Sequence, residues 1–122
     1  MAARTSVTLV TGASPAAREQ AIFAVLATGA PAASTAVILE GLADASSPLT
    51  PDAHVSVARI AGGCLCCAGN LVLRVTLNRL LRHQPDRVLI GVGSSDHLDQ
   101  LRSWLASAPY DQLLELAPDV HA

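Results

Sequence analysis

The chain has 122 residues, 51% hydrophobic and 15% charged, with a formal net charge of −2; this balance fits one folded, well-buried domain rather than a disordered chain. All eight basic residues are arginine and they are scattered along the chain, which argues against a basic face for nucleic acid. No apolar run reaches bilayer length, and Met1-Ala2-Ala3-Arg4-Thr5 carries no signal-peptide core, so a cytoplasmic setting with reduced thiols is expected.

Val7–Thr11 reads as a short buried strand, broken by Gly12-Ala13-Ser14-Pro15. A helix follows over Ala16–Thr28, with Ile22, Val25 and Leu26 on one face and Gly29 and Pro31 ending it. Ala36–Glu40 is a second strand. The Ser, Pro and Asp content of Gly41–Pro51 predicts a loop. His54–Ile60 alternates as a third strand and ends at Gly62-Gly63. Leu71–His83 is a helix, with Leu73, Leu77, Leu80 and Leu81 as its stripe and Arg74, Arg79 and Arg82 on a solvated face. Gln84-Pro85-Asp86 stops it. Arg87–Val92 is a fourth strand. Ser94 or Ser95 caps a helix to about Ser107, and Leu113–Leu116 is a last short strand. Much of the apolar content is alanine, which predicts a core thin in large side chains.

Strands alternating with helices predict an α/β fold: a three-layer, mostly parallel sheet with helices on both faces. In such sheets chemistry sits at the carboxyl ends of the strands. Gly12 and the segment after Ile60 should therefore share one edge.

Two features at that edge carry chemistry. The first is a strand–glycine–helix start with the geometry of a phosphate loop, whose pattern is G-x-x-x-x-G-K-[ST]. Gly12 is present. Ala17 stands where the second glycine belongs, Arg18 where the lysine belongs, and Glu19 where the Mg²⁺-binding hydroxyl belongs. A Cβ at position 17 restricts a backbone that must wrap phosphate, arginine is not the same compact donor, and glutamate competes with phosphate for the helix N-terminus. The rival reading is an ordinary strand-to-helix turn.

The second feature is Gly62-Gly63-Cys64-Leu65-Cys66-Cys67, which holds all three cysteines of the chain. Three thiolates this close suit a soft ion such as Zn²⁺, which prefers four tetrahedral ligands. The fourth ligand would come from His54, His97, Glu40, water or a partner protein, and an open position suits a carrier. A redox pair and plain packing of small apolar side chains are the alternatives. His97 lies at the same edge, His54 at the far one; His83 closes a helix and His121 falls in a tail.

The strand–loop–helix start, the Gly-Cys-x-Cys-Cys element, the helix Leu71–Arg82 and the run Pro85-Asp86-Arg87-Val88-Leu89-Ile90 together resemble the CobW-type family of P-loop GTPases. The resemblance implies a P-loop NTPase-like nucleotide-binding fold and a role in metal insertion or metal homeostasis. It places the family's metal motif on Cys64, Cys66 and Cys67 and its phosphate loop on Gly12 through Glu19. The acidic Walker B-type position falls on Gly91, the glycine of that motif on Ser94, and His97 stands where some relatives have histidine. The likeness covers nearly all of residues 1–122, read as a single domain that lacks the family's base-recognition motif and C-terminal part.

The expected function is that of a degenerate CobW-like domain that binds zinc or a similar ion and has little or no GTP hydrolysis. No residue is assigned a catalytic role. GTP or GDP as a cofactor is doubtful on these residues, and enzymatic activity stays open. Two alternatives stand beside this reading: a weak nucleotide-binding GTPase-family subunit, and an interaction module that uses an exposed sheet edge. The partners admitted are a metal-receiving protein, a fuller CobW-like chain or a second copy; nucleic acid and membrane are not.

Overall fold

The computed structural model describes residues 4–12, 14–28, 34–40, 49, 51–60, 71–92, 98–108 and 110–122. The order is β1 (Thr5–Thr11), α1 (Pro15–Leu26), β2 (Thr35–Glu40), β3 (Val55–Ile60), α2 (Leu71–Leu81), β4 (Arg87–Val92), α3 (Leu98–Leu105), a 3-10 turn at Tyr110–Gln112, β5 (Leu114–Leu116) and β6 (Val120–His121). The six strands form one sheet in the order β3-β2-β4-β1-β5, with β6 also on β1. Every pairing is parallel.

The register explains how the last two strands fit. β5 pairs with Thr5–Val7, the first half of β1, and β6 pairs with Val10–Thr11, the second half. After β1 the chain leaves toward β2; after β4 it leaves toward β5 on the other side. The sheet therefore has its switch point between β1 and β4, the place where open α/β sheets form a crevice at their carboxyl edge.

Two apolar clusters lie on the two faces, as the period-two pattern of each strand requires. On one face Val7, Leu9, Ile38, Val88 and Ile90 pack with Leu73, Leu77 and Leu80 of α2 and Leu98, Leu101 and Leu105 of α3. On the other, Val10, Val37, Leu39 and Leu89 pack with Ile22 of α1 and with Leu49. The layers are helix, sheet, helix, consistent with a P-loop NTPase-like α/β fold. Each such side chain contributes about 1.5–3 kcal/mol on burial.

Two expectations need correction. The core is not thin in large side chains: among the described alanines only Ala36 is buried, and the core is leucine, isoleucine and valine. The other described alanines fall at helix surfaces, turns and half-covered strand positions. The C-terminal residues are also not a free tail, since Val120–His121 forms β6. Two residues give no periodicity, so that strand has no sequence signal.

The Pro85–Ile90 run ties the layers together at the opposite edge. Thr5 Oγ1 donates to the Pro85 carbonyl at 2.9 Å, and Asp86 accepts from the Ser34 amide at 2.8 Å. Arg87 donates to the Thr35 hydroxyl at 2.7 Å and to the carbonyls of Val25 and Leu26 at 3.2 and 3.1 Å. One guanidinium thus closes the last turn of α1, where unpaired carbonyls and the helix dipole both favour a cation.

Candidate functional site

At the carboxyl edge of β1 the expected strand–turn–helix is present. Ser14 caps α1, accepting from the Ala17 amide at 3.1 Å, and Pro15 opens the helix. The Arg18 amide donates to the Ser14 carbonyl at 3.1 Å. The first helical amides, the usual phosphate donors, are already used in part by the cap.

Two of the three departures from the phosphate-loop pattern, Arg18 and Glu19, have side-chain partners within the protein. Arg18 is buried, and its Nη1 donates to the Gly12 carbonyl at 3.0 Å. The side chain folds back on its own turn. A Cβ built at Gly12 would lie 2.9 Å from Ala122 Cβ and 3.0 Å from Arg18 Cγ. Ala122 is held there by its amide, which donates to the Thr11 carbonyl at 2.7 Å.

Glu19 is buried too. Its Oε1 accepts from Arg59 Nη2 at 2.9 Å and its Oε2 from Nη1 at 3.3 Å. This two-point fork is the strong form of an arginine–carboxylate contact. Arg59 is the penultimate residue of β3. Sequence reasoning passed over it as one residue of an alternating strand, because its partner lies forty positions away.

Gly91, where the resemblance places an acid, lies under α1. A Cβ there would stand 3.2 Å from Leu39 Cδ2 and 3.4 Å from Ile22 Cδ1. Aliphatic side chains take up the space that a carboxylate would need. Among the described residues, then, Arg18 and Glu19 are engaged within the protein, and aliphatic side chains fill the space beside Gly91.

Cys64, Cys66, Cys67 and His97 lie outside the described residues, as does Ser94. Glu40, half-buried, ends β2 at the carboxyl edge. His54 precedes β3, exposed, with its amide bonded to Asp52 Oδ1 at 2.7 Å. About 20 Å of strand separates it from the other edge, so it is not a ligand candidate for that edge. No three His, Cys, Asp or Glu side chains come together among the described residues. His121 joins the carboxyl edge through β6, with Nδ1 2.7 Å from Thr11 Oγ1.

A second polar cluster sits away from this edge. Arg74 is exposed, as expected, and its guanidinium lies 5.8 Å from the centre of the Trp104 ring. Trp104 meets Tyr110 edge to face at 5.0 Å, and the Tyr110 hydroxyl donates to Asn78 Oδ1 at 2.8 Å. Burial pushes the Tyr110 phenol above its usual value, against smaller opposing effects of Arg74 and Asn78. Arg74, Asn78, Trp104 and Tyr110 line an open cavity of about 240 Å³.

No family model and no solved structure matches the chain. Among curated proteins it is similar to the zinc chaperone YeiR of Escherichia coli (strain K12), with 31% identity over 115 residues. The match takes in 92% of this chain and 35% of that protein, so the chain spans about a third of the relative's length. That similarity, together with the residue pattern, supports the CobW-type family for this chain.

Proposed function

We propose that this chain is a single CobW-type domain of metal homeostasis or cofactor metal insertion, which holds zinc or a similar ion as cargo and hydrolyses little or no GTP. Cys64, Cys66 and Cys67 are the ligands in this reading, and a metal-receiving protein or a fuller CobW-like chain is the partner. A cytoplasmic setting goes with it, since thiolates must stay reduced to bind. No helix among the described residues is long and apolar enough to cross a membrane.

The similarity to a zinc chaperone carries the reading. The donor set agrees with it, because three closely spaced thiolates select a soft ion over a hard one. The low-hydrolysis part rests on the engaged Arg18 and Glu19 and on the filled space at Gly91. Phosphoryl transfer needs a charge-stabilising donor and a held cation, and both side chains that would supply them are turned inward.

Zinc titration of the reduced protein against a competing chromophoric chelator tests the reading. The expected result is one zinc per chain, lost on replacing Cys64, Cys66 and Cys67 together with serine. Uptake that persists unchanged in that triple variant, or that is absent from the native protein, rejects the site.

A further inference from the structure

Arg74 and Asn78 stand four positions apart in α2, so both lie on one face of that helix. The face meets the end of α3 and the 3-10 turn. The Arg74 guanidinium lies 5.8 Å from the centre of the Trp104 ring, and the Tyr110 hydroxyl donates to Asn78 Oδ1 at 2.8 Å. Trp104 and Tyr110 touch each other edge to face at 5.0 Å, and Tyr110 is buried. A packed aromatic pair thus holds each of the two polar side chains in place. These four residues and Ala108 line the open cavity of about 240 Å³.

The polar groups here are donors that the protein does not answer. Among the described residues the ion pairs are Arg59–Glu19 and Arg102–Asp119, and Arg74 takes part in no ion pair or hydrogen bond. Asp111, next to Tyr110, is not bonded to it. The ring contact is an attraction between a cation and a π face. It leaves a planar fork of N–H donors whose geometry matches a carboxylate. The carbonyl oxygen of Asn78 is occupied by Tyr110, which leaves the amide NH₂ as a further donor. Leu71–Leu81 contains no Asp or Glu, and its two charged residues, Arg74 and Arg79, are both positive. Positive charge, directed donors and an aromatic wall converge on one small cavity, the usual composition of a small-ligand pocket.

We propose that this cavity binds a carboxylate carried on a short apolar or aromatic body. The carboxylate pairs with the Arg74 fork, the Asn78 amide donates to one of its oxygens, and the body lies against Trp104 and Ala108. A free organic acid and the terminal carboxylate of a protein chain both offer this chemistry. A neutral amide or a cation does not. The site shares no residue with the phosphate-loop turn or with the cysteine motif, and it stands whether or not the chain carries zinc.

The chain has one tryptophan, Trp104, so its fluorescence and its indole N–H resonance report on this cavity directly. The native protein is titrated with benzoate, benzamide and benzamidinium, and with N-acetyl-alanyl-leucine whose carboxyl end is free or amidated. At least one of the two carboxylates should shift both signals saturably, in roughly the millimolar range expected of so small a ligand. The matching amide should bind about tenfold or more weakly, since it lacks the charge that the fork recognises. Benzamidinium should give no saturable shift. Tighter binding of benzoate identifies a free acid as the source, and tighter binding of the dipeptide a chain terminus.

Arg74→Gln should weaken carboxylate binding about tenfold or more. Asn78→Asp keeps an acceptor for Tyr110 and sets a carboxylate beside Arg74, so it should weaken binding at least as much. Arg82→Gln removes the same charge from an exposed position just past α2, outside the cavity, and should bind as the native protein does. Arg74 and Asn78 are exposed, and circular dichroism checks that each variant is folded. Failure of both carboxylates to shift the tryptophan signals overturns the proposal. So does equal binding of the matching amides, or native binding in Arg74→Gln. A loss in Arg82→Gln as large as that in Arg74→Gln overturns it as well, because the attraction would then be general rather than sited. If Arg74→Gln does not fold, native binding in Asn78→Asp is the overturning result.

Discussion

Glutamine at position 19 keeps the outline of the side chain and removes its charge. Arg59 then faces an amide where it had a carboxylate at 2.9 and 3.3 Å. Losing one member of a fully buried ion pair costs about 3–5 kcal/mol, because the survivor stays desolvated. Arg59 keeps 18% exposure and glutamine still offers one acceptor, so the expected loss here is about 2–3 kcal/mol. At about 3–6 °C per kcal/mol for a domain of this length, the thermal midpoint should fall by roughly 6–18 °C. Urea unfolding gives the free energy directly, with an unchanged m-value showing that the folded state is still compact. The same measurement on Glu19→Met/Arg59→Met separates the pair from its penalty. With both charges gone no lone charge is left buried at the fork, and the double variant should lie within about 1 kcal/mol of the native protein. The two positions should then couple by more than about 1.5 kcal/mol in the cycle. A single-variant loss below about 0.5 kcal/mol, as for exposed pairs, would refute the reasoning. It would mean that water reaches the fork.

Four further changes have expected outcomes. Gly91→Glu forces a carboxylate against Leu39 and Ile22; it should cost about 3 kcal/mol or more in urea unfolding and give no phosphate release from GTP. Arg87→Ala removes two hydrogen bonds to the end of α1 and one to Thr35 of β2; a loss of about 2–3 kcal/mol is expected, with faster amide exchange in the last turn of that helix, and lysine should restore only part. Gln84 has φ of 51° just past α2, where glycine carries no Cβ penalty, so Gln84→Gly should stabilise by about 0.5–1 kcal/mol and Gln84→Val should do the reverse. The chain has one tyrosine, Tyr110, and burial raises its phenol above 10.0. The unfolded chain therefore loses this proton first, and stability should fall as pH rises past 10.0 until the folded phenol also ionises. Ultraviolet titration of native and unfolded protein reads both transitions, and Tyr110→Phe should abolish this contribution.

What the sequence made legible follows from the range of each signal. β1, β2, β3 and β4 were readable because short apolar runs ended at glycine, proline or acidic residues. α2 and α3 were readable because Leu73, Leu77 and Leu80, then Leu98, Leu101 and Leu105, repeat at helical spacing, and all six are buried. β6 was not, since two residues carry no period; only the ladder to Val10 and Thr11 defines it. The alanine content suggested a thin core because composition does not say which positions face inward. The phosphate-loop departures at Ala17, Arg18 and Glu19 were visible as departures. The replacement contacts were not, because Arg59 and Ala122 reach the site through the fold. The cysteine motif was the strongest chemical signal in the sequence, and its residues lie outside those described.

Those departures also bear on whether the phosphate site has decayed or been rebuilt. A site that had merely lost its ligand would leave polar groups buried and unpaired, each costing about 1–3 kcal/mol. Among the described residues no buried side-chain nitrogen or oxygen lacks a hydrogen-bond partner. Arginine reaches back to the Gly12 carbonyl with a planar head that carries several donors. Glutamate brings the charge that a hydroxyl lacks, and with it holds Arg59. A glycine at position 91 lets Ile22 and Leu39 close over a place where an acid would have needed water or metal. At positions 18 and 19 the residue that departs from the phosphate-loop pattern is the residue that makes the new contact, so the two effects cannot be mutated apart. Restoring lysine and threonine at positions 18 and 19 would withdraw the fork on Arg59 before it offered a nucleotide anything, with Gly91 still sealed and Ala122 still seated on Gly12.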